Sequence, residues 1–94
     1  MDEKKERAVD QNQASREFFE LADEFINLAN KLGQKWPPSR VSAAMMFATA
    51  RFNVFTYYGI RPEHRVPEAA MMDYYCDQSR TMLRDNLANM KPPG

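Results

Sequence analysis

Apolar positions recur with a helical period in three long segments, and glycines and prolines separate them. In the first segment Phe18, Leu21, Phe25, Leu28 and Leu32 alternate spacings of three and four, and Ala22, Ile26 and Ala29 widen the stripe. This is the pattern of a core-facing helix. It predicts a helix from about Asp10 to Leu32. Asp10 with Gln13 fits a capping box, Val9 with Ala14 fits a hydrophobic staple, and Ser15 is a competing N-cap. Gly33 suits a left-handed C-terminal cap, and the QKWPP linker (34–38) follows. The second segment runs from Ser39, a plausible N-cap, to Tyr58, with Gly59 placed to end it. After the loop 60–66, Pro67 suits the first turn of a third helix that reaches about Met90. On that helix Ala69, Met72, Cys76, Leu83, Leu87 and Met90 line one face, with Tyr75, Ser79 and Met82 beside them.

No stretch alternates with the period of a strand for long enough to build a sheet. Helices of similar length joined by short linkers point to antiparallel neighbours. The expected fold is therefore all-α: an antiparallel up-down-up three-helix bundle with a flexible N-terminal tail. Residues 1–9 form the charged tail and residues 10–91 a single domain.

The second helix is too apolar for an ordinary surface helix. On a helical wheel Ser42, Met46, Thr49, Asn53 and Thr56 share an arc of about 80°, and apolar side chains occupy roughly 240° of the remainder. Val41, Ala44, Met45, Ala48, Phe52 and Phe55 make a seam for an internal core. Ala43, Phe47, Ala50, Val54 and Tyr58 make a second surface, with alanines between larger apolar groups. We expect Phe47, Val54 and Tyr58 to mark an interface with a second copy or another protein, because a contiguous exposed apolar patch is uncommon on a monomer. The competing reading is that the flanking helices cover this surface within one chain.

Arg51 falls between the two seams. A guanidinium buried there needs a carboxylate or a set of carbonyls. Asp73 and Asp77 on the third helix and Glu24 on the first are candidates by face, and Asn53 lies nearby. A structural ion pair, a snorkelling side chain and a site for a small anionic ligand remain open as readings of Arg51.

The string RVSAAMMFATARFNVF (40–55) resembles the signature of a family of small uncharacterised bacterial proteins, catalogued as domain of unknown function 3144 and found mainly in proteobacteria. FFELADEFINLANKLG upstream and DYYCDQSRTMLRDNL downstream are also similar to it. The resemblance spans roughly residues 18–87. It implies a small helical bacterial protein, supplies no activity or catalytic residue, and directs attention to Arg51, Phe52 and Asn53.

Composition narrows the remaining chemistry. With one Cys and one His, neither an intrachain disulfide nor a Cys/His zinc site is available, and three glycines leave no phosphate-cradling loop. His64 reads as an exposed loop residue and Cys76 as a small buried hydrophobe. Met45, Met72 and Met82 read as core, while Met46 and Met71 lie at edges. The acids Glu17, Glu20, Asp23 and Glu24 read as the solvated face of the first helix. No catalytic, cofactor or metal site is expected, and no enzyme activity. The amino terminus has no apolar signal region and no stretch is long enough to span a bilayer, so we expect a cytoplasmic protein without a membrane partner.

The net charge of zero hides an asymmetry. Residues 1–33 carry five basic and eight acidic groups (−3), residues 34–65 five and one (+4), and residues 66–94 three and four (−1). Lys35, Arg40, Arg61 and Arg65, with Trp36, place basic and aromatic groups in the linkers, but no helix-turn-helix pattern accompanies them. Nucleic-acid binding is therefore not expected. The expected function is self-association or protein interaction through the second helix, with a small-ligand or anion-binding bundle centred on Arg51 as the alternative.

Overall fold

The computed structural model describes residues 3–90, with side chains from residue 12 onward. The first two residues of the expected tail and the closing Lys-Pro-Pro-Gly lie outside the described residues. The chain is all-α, with three helices and no strand among the described residues: α1 (Glu3–Leu32), α2 (Pro38–Tyr58) and α3 (Glu68–Met90). A short 3-10 turn, Pro62–His64, lies between α2 and α3.

Helix α1 starts at Glu3 rather than Asp10, so residues 3–9, assigned to the tail by their lack of apolar periodicity, have helical backbone. The residues there are mostly Glu, Lys, Arg and Ala, which favour helix by intrinsic propensity without needing an apolar face. Asp10 and Ser15 accordingly sit inside the helix and not at its start.

The helix ends also depart from the expected chemistry. Neither Gly33 nor Gly59 adopts left-handed backbone. The Gly33 amide donates to the Ala29 carbonyl at 2.8 Å, and the Lys35 and Trp36 amides both return to the Leu32 carbonyl. The chain thus leaves α1 through a tight right-handed turn, and Pro37 and Pro38 prevent its continuation. Pro38, not Ser39, begins α2, where a residue without an N–H costs nothing. The Pro37 carbonyl accepts from the Arg40 and Val41 amides at 3.0 and 3.1 Å. At α3 the Pro67 carbonyl accepts from the Met71 amide at 3.1 Å, consistent with Pro67 at the helix start.

Two compact units divide the chain at residues 50 and 51, inside α2. In the first, burial concentrates on small or slender side chains: Ala22 and Ala29 of α1 and Met45 of α2 are half-buried, and Val41 is buried with 8% exposed. In the second, Asn53 of α2, Arg65 of the loop and Met71 and Tyr75 of α3 are half-buried around Tyr57, which is 5% exposed. The Tyr57 hydroxyl donates to the Val66 carbonyl, so its ring is buried and its polar end is satisfied.

The expected internal seam on α2 is therefore filled only at Val41 and Met45. Phe52 and Phe55 are exposed. Within its own unit each half of α2 has one neighbouring helix, which covers one side of a helix that is apolar on most sides. Helix α3 is also turned from its expected face. Met71 and Tyr75 are half-buried, whereas Met72, Cys76, Met82, Leu83, Leu87 and Met90 are exposed. The shift is one position, about 100° of rotation. It matches the approach of the Tyr75 hydroxyl to the Thr56 hydroxyl, 3.5 Å apart.

Tyr57→Phe keeps the buried ring and removes the bond to Val66. It should cost about 1 kcal/mol in urea unfolding, the net worth of one ordinary hydrogen bond. Tyr57→Ala, which empties the site, should cost about 3–5 kcal/mol, as other buried aromatics do. Equal costs for the two variants would show that the ring contributes little.

Candidate functional site

Helix α2 carries the candidate surface. Phe47, Val54 and Tyr58, expected to mark an interface, are all exposed, with Phe47 at 66%. Met46, Phe52 and Phe55 are exposed as well, Phe55 at 75%, so the uncovered apolar surface extends beyond the expected stripe. The Phe52 and Phe55 rings stack on one another with centroids 6.3 Å apart. A pair of aromatic rings resting on each other in water is apolar area that a partner can bury.

Arg51 is exposed in this surface, and Asp73 and Asp77 on α3 are exposed too. Among the described residues Arg51 forms no ion pair with Glu24, Asp73 or Asp77; the ion pair seen there joins Arg61 to Glu63 at 3.8 Å, on the surface. Of the readings left open for Arg51, the ion pair has no partner among the described residues, and its exposure fits a side chain that reaches water. Its apolar neighbours on α2 are themselves uncovered, so the guanidinium keeps its water. Asn53 is half-buried and its backbone carbonyl accepts from the Thr56 hydroxyl at 2.8 Å. The four polar candidates, Arg51, Asn53, Asp73 and Asp77, do not converge on one point through any hydrogen bond or ion pair among the described residues.

The best-formed polar cluster is at the α2–α3 connection and centres on Arg65, one of the basic linker groups. The Arg65 guanidinium donates to the Ile60 carbonyl at 2.9 Å and to the Tyr58 carbonyl at 3.4 Å. It also lies 5.5 Å from the centre of the Tyr57 ring and 4.9 Å from that of Tyr58. One cation thus caps the end of α2 and rests on two rings, which favours the cation both by the helix dipole and by the ring faces. The Tyr58 hydroxyl donates to the Glu68 carboxylate at 2.6 Å, tying the end of α2 to the start of α3. The sequence signal was present: an aromatic pair before Gly59, with a cation one short loop later.

The other basic linker groups are at Trp36, whose ring has Lys35 Nζ at 6.0 Å and the Arg40 guanidinium at 5.9 Å. Arg61 is engaged by Glu63 and Arg65 by backbone carbonyls, so the linker cations do not act as a common set. His64 and Cys76 are exposed. Among the described residues no group of three or more His, Cys, Asp or Glu is arranged to hold a metal ion. No described helix is long and apolar enough to cross a membrane.

The hydrogen bond to Glu68 raises the Tyr58 pKa above its ordinary value, the charge of that carboxylate adds to the rise, and Arg65 opposes it. A phenol whose pKa is raised in the folded state stabilises the fold fully below the ordinary value of about 10, and this is lost as pH climbs through the raised value. A spectrophotometric titration, read as the difference between the protein and its Tyr58→Phe variant, should place Tyr58 above ordinary phenols. Glu68→Gln should move it back down. An unchanged titration in Glu68→Gln would show that the carboxylate does not hold the hydroxyl.

No curated protein and no solved structure matches the chain. A family model does match, over residues 18–90, and its description is "Protein of unknown function (DUF3144)". That span contains the second half of α1 and all of α2 and α3, with the exposed α2 surface and the Arg65 cluster, and on it the chain belongs to the DUF3144 family.

Proposed function

We propose that this protein works as a self-associating helical interaction module of the cytoplasm, not as a catalyst, and that the apolar surface of α2 is its principal contact. The observation that carries this reading is the exposure of Met46, Phe47, Phe52, Val54, Phe55 and Tyr58 along one helix. Burying one such side chain on association is worth roughly 1.5–3 kcal/mol before the costs of ordering, so a few of them suffice for a specific contact. Alanines 43, 44, 48 and 50 between them let a second backbone approach closely. Arg51 fits the same surface, since aromatic residues and arginine are the types enriched where interfaces bind hardest. In this reading Arg51 meets a carboxylate or carbonyls of the partner, and the requirement for a counter-group transfers from the folded chain to the assembly.

Light scattering at micromolar concentration tests the proposal. The mass should exceed that of the 11.0 kDa chain. Phe47→Glu and Val54→Glu should each shift the protein towards smaller species, while Ser42→Glu, on the polar arc of α2, should leave the mass unchanged. A clean monomer for the unaltered chain would overturn the reading.

A further inference from the structure

Helix α1 carries a second uncovered face with a different pattern. Phe18, Leu21, Phe25, Leu28 and Leu32 are all exposed, Phe25 at 60%. Their alternating spacing is that of a heptad seam, with Phe18, Phe25 and Leu32 at one core position and Leu21 and Leu28 at the other. Ala22 and Ala29, the half-buried residues of α1, lie beside this seam on one flank. Glu17, Glu24 and Lys31 border it on the opposite flank. The seam is therefore left open after α1 has made its contacts within the first unit, with charged residues where a coiled coil places those that select its partner.

We infer that α1 pairs with α1 of a second copy as a short antiparallel coiled coil. This rests on the reading that the chain self-associates, and it assigns a different helix and a defined orientation. Charge decides the orientation. From Arg16 to Glu24 the helix carries one base and four acids, Glu17, Glu20, Asp23 and Glu24, whereas from Phe25 to its end at Leu32 it carries Lys31 and no acid, and Lys35 follows in the linker. A parallel pair sets the four acids of each copy beside those of the other. An antiparallel pair sets the acidic half of one copy against the basic half of its partner, which relieves like-charge repulsion and specifies direction. The seam fixes the register. Antiparallel packing layers one core position on the other, so Phe18 faces the partner's Leu28, and Leu21 faces the partner's Phe25. The four layers from Phe18 to Leu28 then each join an aromatic ring to a leucine, and Leu32 faces the partner's Ala14. The same register brings Glu17 alongside the partner's Lys31 at both ends. A second copy satisfies the apolar pattern and pairs opposite charges at both ends of the seam, with Glu24 beside the partner's Glu24 at its centre.

Disulfide trapping in the full-length chain tests this. In a Cys76→Ser background, chains carrying Phe18→Cys are mixed with chains carrying Leu28→Cys under mild oxidation. The mixed dimer should form in several-fold excess over either like-with-like dimer. Preferential like-with-like products would mean a parallel pair, and no product above that of an Asp23→Cys control would mean no α1 pairing in this register; either outcome overturns the inference. Light scattering of Phe25→Glu and Phe47→Glu separates this contact from the one on α2. Loss of mass in Phe25→Glu, with helicity retained in circular dichroism, supports the α1 contact. Loss in Phe47→Glu alone overturns the α1 contact and leaves the α2 contact standing. Loss in neither overturns both.

Discussion

Apolar side chains occupy most of the circumference of α2, and a helix of that kind must be covered on more than one side. Each half of α2 has only one helix beside it in its own unit, and each neighbour is selective in what it covers. In the first unit burial falls on Val41, Met45 and two alanines of α1, and the phenylalanines stay exposed. In the second it falls on Tyr57 and its surroundings. Burying so few and mostly small side chains removes little apolar area from water. The exposed rings, the hydrated arginine and the open seam on α1 all follow from that shortage of cover.

The second unit offsets a thin core with polar geometry. Tyr57 donates inward to Val66, Tyr58 donates outward to Glu68, and Arg65 occupies the last turn of α2 and both ring faces. Such a cluster specifies the path of a loop more than it stabilises a fold, because exposed charge-assisted contacts are individually weak. Its value lies in fixing where α3 departs. That departure places Met71 and Tyr75, not Met72 and Cys76, against α2.

Helix number, type and most boundaries were legible because they depend on local periodicity and on Pro and Gly. Leu32 ends α1 and Tyr58 ends α2, as the spacing predicts. The start of α1 was not legible, since residues 3–9 are helical by propensity and carry no apolar stripe. The buried faces were harder still. A wheel ranks faces by total apolar content, yet the structure buries the alanines of α1 and the Met71 and Tyr75 edge of α3, choices made by side-chain size and by the Thr56–Tyr75 approach. The exposure of Phe47, Val54 and Tyr58 was legible because α2 had more apolar positions than neighbours. The exposure of Arg51 agrees with one of the three readings its wheel position allows, a side chain whose head reaches water.

The distribution of aromatic chromophores has an optical consequence. Trp36, the chain's single tryptophan, belongs to the first unit and sits beside two cations, whereas all four tyrosines, at positions 57, 58, 74 and 75, belong to the second. Indole emission therefore reports on one half of the chain, and phenol absorbance on the other. Coincidence of the two signals during unfolding would identify one cooperative block spanning the middle of α2, and divergence would identify two. The protein carries its own pair of independent probes for asking whether a helix shared by two units transmits stability between them.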